Sequence, residues 1–277
     1  MAQQHPSVLP PGGQLGALLR HWRDLRGKSQ FELSLDTGVS QRHISFIEVG
    51  RSVPSRQMLI DLATALDMPL RDRNTLLMAG GYAPIYPDGA WNGPEMRSIT
   101  AALERMLRQH EPYPALVLDR YWNVLLTNDA APRFFGRFTD LRARKSPRNM
   151  LHLMFDPEGM RPFVADWPRV ADSLIQRVYR EAVGRVVDDK IKTLLAELLA
   201  YPEVAPGWTP PQATGVEAVT PVIPLSFVQD GRRLDYFSMV TTVGTPQTVA
   251  AQELRLECMF PADAASEAAH RTLVGDG

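Results

Sequence analysis

Two short helical patterns separated by a single glycine constrain this chain more than any other feature. Ser29 carries a hydroxyl of the kind that accepts backbone N–H groups at helix starts. Glu32 stands three residues on, where its carboxylate can reach back to the first N–H. Phe31, Leu33 and Leu35 begin a helix that Thr37-Gly38-Val39 breaks. Gly38 suits the left-handed backbone position that closes a helix, because it has no Cβ to clash there. Ser40 then caps a second helix, and Gly50 ends it. Ile44 and Ile47 give this helix one apolar face, while Gln41, Arg42, His43 and Ser45 leave the other face polar.

A helix held to its domain on one side, with hydrogen-bonding side chains on the other, is what reading a DNA major groove requires. Residues 29–56 therefore read as a helix-turn-helix. Upstream, Leu15, Leu18, Leu19, Trp22 and Leu25 form an amphipathic first helix. Downstream, Ser55 starts a helix carrying Met58, Leu59, Leu62, Ala63 and Leu66, and a fifth is expected from Leu70 to Ala79. The result is an all-α, five-helix domain over residues 14–82. It resembles the lambda-repressor-like, or XRE-family, DNA-binding domain. The residues that carry the likeness are Gln30 with Leu33, Gly38-Val39-Ser40, Ile44-Ser45, and Glu48 with Gly50. The resemblance implies that Gln30 reaches a phosphate, that Gln41 and Arg42 face bases with Ser45 one turn on, and that His43 lies near the backbone. It further implies that Arg51 and Arg56 clamp phosphates and that Arg23 pairs with Glu48. Ser34 stands where the family usually has Ala, and Phe46 where some relatives carry a polar base-reading residue.

At 277 residues with a formal net charge of -1, the chain suits two domains and is not a uniformly basic nucleic-acid binder. Through Tyr82 there are nine Lys and Arg against seven acids. Affinity for DNA should then rest on a few placed contacts and on homodimerisation over a double-stranded operator. The single cysteine, Cys258, excludes an intramolecular disulfide and a multi-cysteine metal site. It alternates with Leu254 and Leu256 and is expected to be a buried strand residue. No metal site is expected, since no His or Cys partners His43 at ligand spacing. Met1 to Gly13, a flexible N-terminus, lacks a basic region followed by an apolar run, and no stretch approaches roughly eighteen apolar residues. A cytoplasmic protein without a membrane span is expected.

Residues 83–112 read as a turn-rich linker and a connecting helix, whose face of Met96, Ile99, Leu103, Met106 and Leu107 either packs on the second domain or pairs with its copy. From residue 113 the pattern changes. Ala115-Leu116-Val117-Leu118-Asp119 and Trp122 to Asn128 read as strands around a turn, and Asn128 opens a helix through Phe134 and Phe135. Helices follow over Phe163 to Val183 and Val187 to Tyr201. Val222 to Gln229 and Arg232 to Thr242 flank Asp230-Gly231, a two-residue hairpin signal, and a last strand runs near Gln252 to Phe260. The expected fold for residues 113–265 is α+β and PAS-like, an antiparallel sheet with helices, followed by a tail over 266–277. An antiparallel sheet covered by helices can hold an elongated apolar cavity.

This order of domains resembles the MmyB-like transcription regulators. The likeness is carried by Pro114-Ala115-Leu116-Val117-Leu118-Asp119, Trp122-Asn123-Val124, Asn128, Asn149-Met150-Leu151, Phe155 and Asp166-Trp167. The resemblance implies a C-terminal sensor that accepts a fatty-acid-like effector; no other cofactor is expected. Trp122, Phe134, Phe135 and Phe155, with Met150, Leu153 and Met154, are candidate walls. Asn123, Asn128, Asn149 and His152 are candidate donors to a carboxylate, with a helix cap as the plain alternative for Asn128. Arg133, Arg137, Arg142, Arg144, Lys145 and Arg148 form a basic run that reads as a solvated loop, a carboxylate anchor or an accessory phosphate contact. The expected function is a ligand-responsive, DNA-binding regulator. Alternatives are a PAS-like domain that serves only dimerisation or partner binding, an esterase-like enzyme fused to a DNA-binding domain, and a peptide receptor with helical repeats. No Gly-x-Ser-x-Gly elbow, P-loop or 34-residue period supports the last two.

Overall fold

The computed structural model describes residues 11–144, 148–183, 189–204 and 225–275. Expectations for the first ten residues, Lys145, Val187 and Val222–Pro224 lie outside the described residues. The chain forms two compact units, one from residues up to Gly89 with Pro246–Gln252, the other from Ala90–Thr245 and Glu253–Gly277.

Among the described residues the N-terminal stretch of the first unit forms five helices: α1 (Pro11–Leu25), α2 (Gln30–Thr37), α3 (Gln41–Glu48), α4 (Arg56–Ala65) and α5 (Leu70–Ala79). Their boundaries follow local chemistry. Ser29 and Glu32 form the expected capping box, and Gly38 closes α2 at φ 70°. Ser40 and Ser55 accept the N–H groups of His43 and Met58 at the starts of α3 and α4. Leu15, Leu19, Trp22, Leu33, Ile44, Ile47, Leu59, Leu62 and Leu76 form the buried core. The helices α1 and α3 meet at Gly16, where a Cβ would fall 2.4 Å from the Glu48 carbonyl oxygen. Residues 246–252 join this unit although they are remote in sequence. The Gln252 side-chain oxygen accepts the Leu70 N–H at 2.7 Å, which satisfies the start of α5, and Val249 N–H donates to the Pro87 carbonyl at 2.9 Å.

The second unit begins with α6 (Arg97–Gln109), whose Leu103 and Leu107 are buried within it. Then follow β1 (Ala115–Leu118), β2 (Val124–Thr127), α7 (Ala130–Phe135), α8 (Met150–Phe155), α9 (Trp167–Val183) and α10 (Asp189–Leu199). The chain closes with β3 (Leu225–Gln229), β4 (Arg232–Thr242), β5 (Arg255–Pro261) and α12 (Ala264–Val274), while α11 (Val249–Glu253), between β4 and β5, belongs to the first unit through Gln252. Among the described residues five strands form one antiparallel sheet in the order β2-β1-β5-β4-β3. Asp230 and Gly231, at φ 50° and 75°, make the two-residue turn between β3 and β4.

Two expectations change and one is extended. The stretch 266–277, read as a tail, instead lies largely in helix α12, which packs His270 into the core at 0% exposure. Its Nε2–H donates to the Pro112 carbonyl at 2.9 Å, and its Nδ1 accepts the Tyr236 hydroxyl at 2.6 Å. Asn128 accepts the Ala131 N–H at the start of α7, as a cap does, but it does more. Its side-chain oxygen accepts from Ala115 and Ala131 N–H, and its amide donates to the Tyr113 carbonyl, so it joins β1 to the start of α7. Cys258 is half-buried, because the buried positions of β5 are Leu256 and Met259 rather than an alternating series through Cys258. Among the described residues no helix is long and apolar enough to cross a membrane.

Candidate DNA-reading helix and ligand cavity

In α3 the buried residues are Ile44, Ile47 and Glu48. Gln41 and Arg42 stand exposed on its first turn, with Ser45 and Phe46 half-buried one turn on. The Arg42 guanidinium lies 5.2 Å from the centre of the Phe46 ring. Arg42, Arg51 and Arg56 have no carboxylate within ion-pair distance among the described residues, so their charge is available to an anion. His43 turns its Nε2 to Ser52 Oγ at 3.2 Å, tying α3 to the turn that follows it.

Glu48 organises the other side of the helix. Its carboxylate accepts from Arg23 Nε at 2.7 Å and Nη2 at 3.1 Å, from Arg20 at 3.3 Å and from Gln30 at 2.9 Å. Burial alone would push this carboxyl up. The hydrogen bonds from Arg23 and Gln30 and the Arg23 charge prevail and hold it below the usual carboxylate range. The same hydrogen bond to Glu48 raises the Arg23 guanidinium above its ordinary value. Gln30, expected at a phosphate, commits one amide N–H to Glu48. It keeps its second amide N–H and its backbone N–H at the α2 start, where helix N-termini favour anions.

The second unit holds an inner cavity of about 80 Å³ and, beside it, an open groove of about 570 Å³. Leu116, Phe135 and Met150 line both, so they are a shared wall. The inner cavity is closed by Leu118, Trp122, Met154, Leu174, Tyr236 and Met259 among others. Tyr236 contributes only its ring there, since its hydroxyl is spent on His270. Burial raises that hydroxyl and lowers the His270 imidazole, so both stay neutral. The groove adds Val124, Leu153, Arg144, Arg148 and His152. Arg148 is held at the rim by backbone pairing: Val124 N–H donates to its carbonyl at 2.7 Å, and Met150 N–H to the Trp122 carbonyl at 2.9 Å.

Of the residues singled out from sequence, Trp122 and Phe135 line the inner cavity, while Phe135, Asn149 and His152 line the groove. Asn123 faces a neighbouring polar cleft shared with Asn149 and His152. The Asn149 side chain is occupied, capping α8 and donating to the Tyr121 carbonyl and Asn123. His152 meets Tyr201 and Glu197 at 3.1 and 3.2 Å. Phe134 and Phe155 are fully buried in the aromatic core and line neither space, and Asn128 spends its side-chain oxygen and one amide N–H on three backbone partners. In the basic run, Arg133 pairs with Glu111 and Arg144 with Asp156, whereas Arg148 is exposed with no ion pair among the described residues. Sequence reading missed the far wall formed by Leu225, Tyr236, Phe237 and Met259. Only the strand order β1-β5-β4-β3 brings them across from Trp122.

Trp122 also has an unusual setting. It sits at φ 67°, a left-handed backbone that bulky residues rarely adopt, with its N–H held by the Asp119 carbonyl. The guanidiniums of Arg177 and Arg255 lie 4.4 and 4.6 Å from its ring. Its buried indole N–H has no hydrogen-bond partner among the described residues.

A helical unit that presents a polar, cation-bearing helix, followed by a sheet unit with an apolar cavity, describes a DNA-binding regulator with a ligand-binding domain. The MmyB-like transcription regulator ligand binding domain matches residues 99–273, and a helix-turn-helix domain matches residues 14–76. The chain belongs to the MmyB-like transcription regulator family. It is similar to an uncharacterised HTH-type transcriptional regulator of Sinorhizobium fredii, 33% identical over 101 residues, which cover 33% of this chain and 48% of that protein. The chain thus spans about half the length of that relative.

Proposed function

We propose that the chain is a homodimeric regulator that lays α3 in the major groove of a symmetric operator and answers to a fatty-acid-like effector held by its C-terminal, PAS-like domain. The observation that carries the ligand reading is the shared wall of Leu116, Phe135 and Met150 between a mostly apolar cavity and a groove rimmed by Arg148. An acyl chain suits the apolar side, and the exposed guanidinium suits a carboxylate. The sheet order β2-β1-β5-β4-β3 supports the PAS-like reading. The effector acts only to the extent that it binds the DNA-competent and incompetent states unequally.

Native mass spectrometry of the purified protein, followed by denaturing extraction, tests the ligand. A co-purified acyl chain, or saturable uptake of an added fatty acid that weakens in Arg148→Ala, is the expected result. An empty cavity that also refuses added fatty acids would leave the domain as a dimerisation or partner-binding module. On the DNA side, Arg42→Ala should weaken specific operator binding by roughly 1–3 kcal/mol. An operator titration giving unchanged affinity would remove Arg42 from the reading face.

A further inference from the structure

We propose that Phe46 is a base-reading residue, which fixes the Arg42 guanidinium for a guanine and packs its own ring against the methyl group of a thymine in the neighbouring base pair. The inference rests on α3 lying in the major groove.

The inner face of α3 is already filled without Phe46. Ile44 and Ile47 are fully buried, and Glu48 ties the helix to α1 and α2. Phe46 stands one turn after Arg42 on the same side of the helix, half-buried, with the guanidinium 5.2 Å from its ring. A guanidinium over a ring is attracted as a cation and need not spend its N–H donors on it. Its N–H donors lie in the plane and stay free for the O6 and N7 acceptors of a guanine. With no carboxylate competing for Arg42 among the described residues, the ring is what restrains it.

Phe46 is itself held. Its carbonyl accepts the N–H groups of Arg51 at 2.8 Å and Ser52 at 3.2 Å, and Ser52 in turn meets His43 on the first turn of α3. These bonds anchor the Phe46 backbone, and its half-exposed ring beside Arg42 then presents an apolar surface on the side of α3 that would enter the groove. The apolar feature that the major groove offers is the thymine C5-methyl group.

The test begins with selection of operators from random duplexes by the full-length chain. Each half-site is expected to contain a G·C pair next to a T·A pair. Replacing that thymine by deoxyuridine removes only the methyl group and leaves the protein untouched. The expected loss is roughly fourfold in Kd per half-site, the equivalent of one buried methyl. Phe46→Ser should bind the two duplexes equally, and Phe46→Leu should retain part of the discrimination. Selected operators without such a thymine, or a wild-type Kd that ignores the methyl, would overturn the proposal. If α3 does not read DNA at all, Arg42→Ala also leaves affinity unchanged; if only the Phe46 role fails, Arg42→Ala still weakens binding.

Discussion

Replacing Glu48 by alanine is expected to cost the N-terminal unit about 3–5 kcal/mol, enough to leave it partly unfolded at ordinary temperature. The carboxylate side chain has no exposed surface and receives Arg23, Arg20 and Gln30. Without it the Arg23 guanidinium, only 12% exposed, keeps the Lys28 carbonyl and Asp24 as partners, which places the loss near the lower end of that range. α3 loses its tie to α1 and α2 together. Hydrogen exchange of the full chain should show faster exchange across α1 to α3 and unchanged protection in the sheet. Undisturbed protection in α1 would show that the network contributes nothing. The pH dependence has a defined sign. Because the Glu48 carboxyl is held below its ordinary value of 4.5, its contribution is complete above that pH. It is lost as pH falls through the lowered value, so wild type and Glu48→Gln should converge in stability in acid.

The parts of the fold legible in the sequence are those decided within a few residues. Ser29 with Glu32, Gly38, Ser40 and the Asp230-Gly231 turn each act on their own neighbours, and each is found where the local chemistry places it. What escaped depends on distant partners. α12 lacks a broad apolar stripe, and His270 is buried because Tyr236 and the Pro112 carbonyl, from remote parts of the chain, meet its two ring nitrogens. Residues 246–252 join the helical unit through Gln252 and Val249, contacts that no spacing announces. Asn128 reads as a cap because Asn is a common cap. It does accept the Ala131 N–H at the start of α7, but its further partners at Ala115 and Tyr113 require the strand before it. The same limit applies to the site. The near wall at Trp122, Phe135 and Met150 is local in sequence, whereas Tyr236 and Met259 enter only through strand order. Phe134 and Phe155 were named as walls for being aromatic and apolar, and those properties suit a core equally well.

Phe134→Ala is expected to destabilise the C-terminal unit by about 3–5 kcal/mol. The ring is fully buried on α7, and its centre lies 5.2–5.8 Å from those of Phe135, Phe138, Phe227, Tyr236 and His270. It therefore joins α7 to β3, β4 and α12 in a single aromatic cluster. Truncation removes the buried area and leaves a void that ring-shaped neighbours cannot close by small shifts, since interiors are close-packed. Phe134→Leu keeps most of the volume and should cost less. The distinguishing measurement is urea unfolding of the full chain, with hydrogen exchange to assign the transition. The unit containing the sheet should lose stability with an unchanged denaturant slope, while protection in α1 to α5 stays as in wild type. A loss below about 1 kcal/mol for Phe134→Ala would mean that the cluster relaxes around the void, contrary to close packing. Because Phe135 follows directly and walls both the cavity and the groove, a looser α7 should also reduce uptake of an acyl ligand, and more so in Phe134→Ala than in Phe134→Leu.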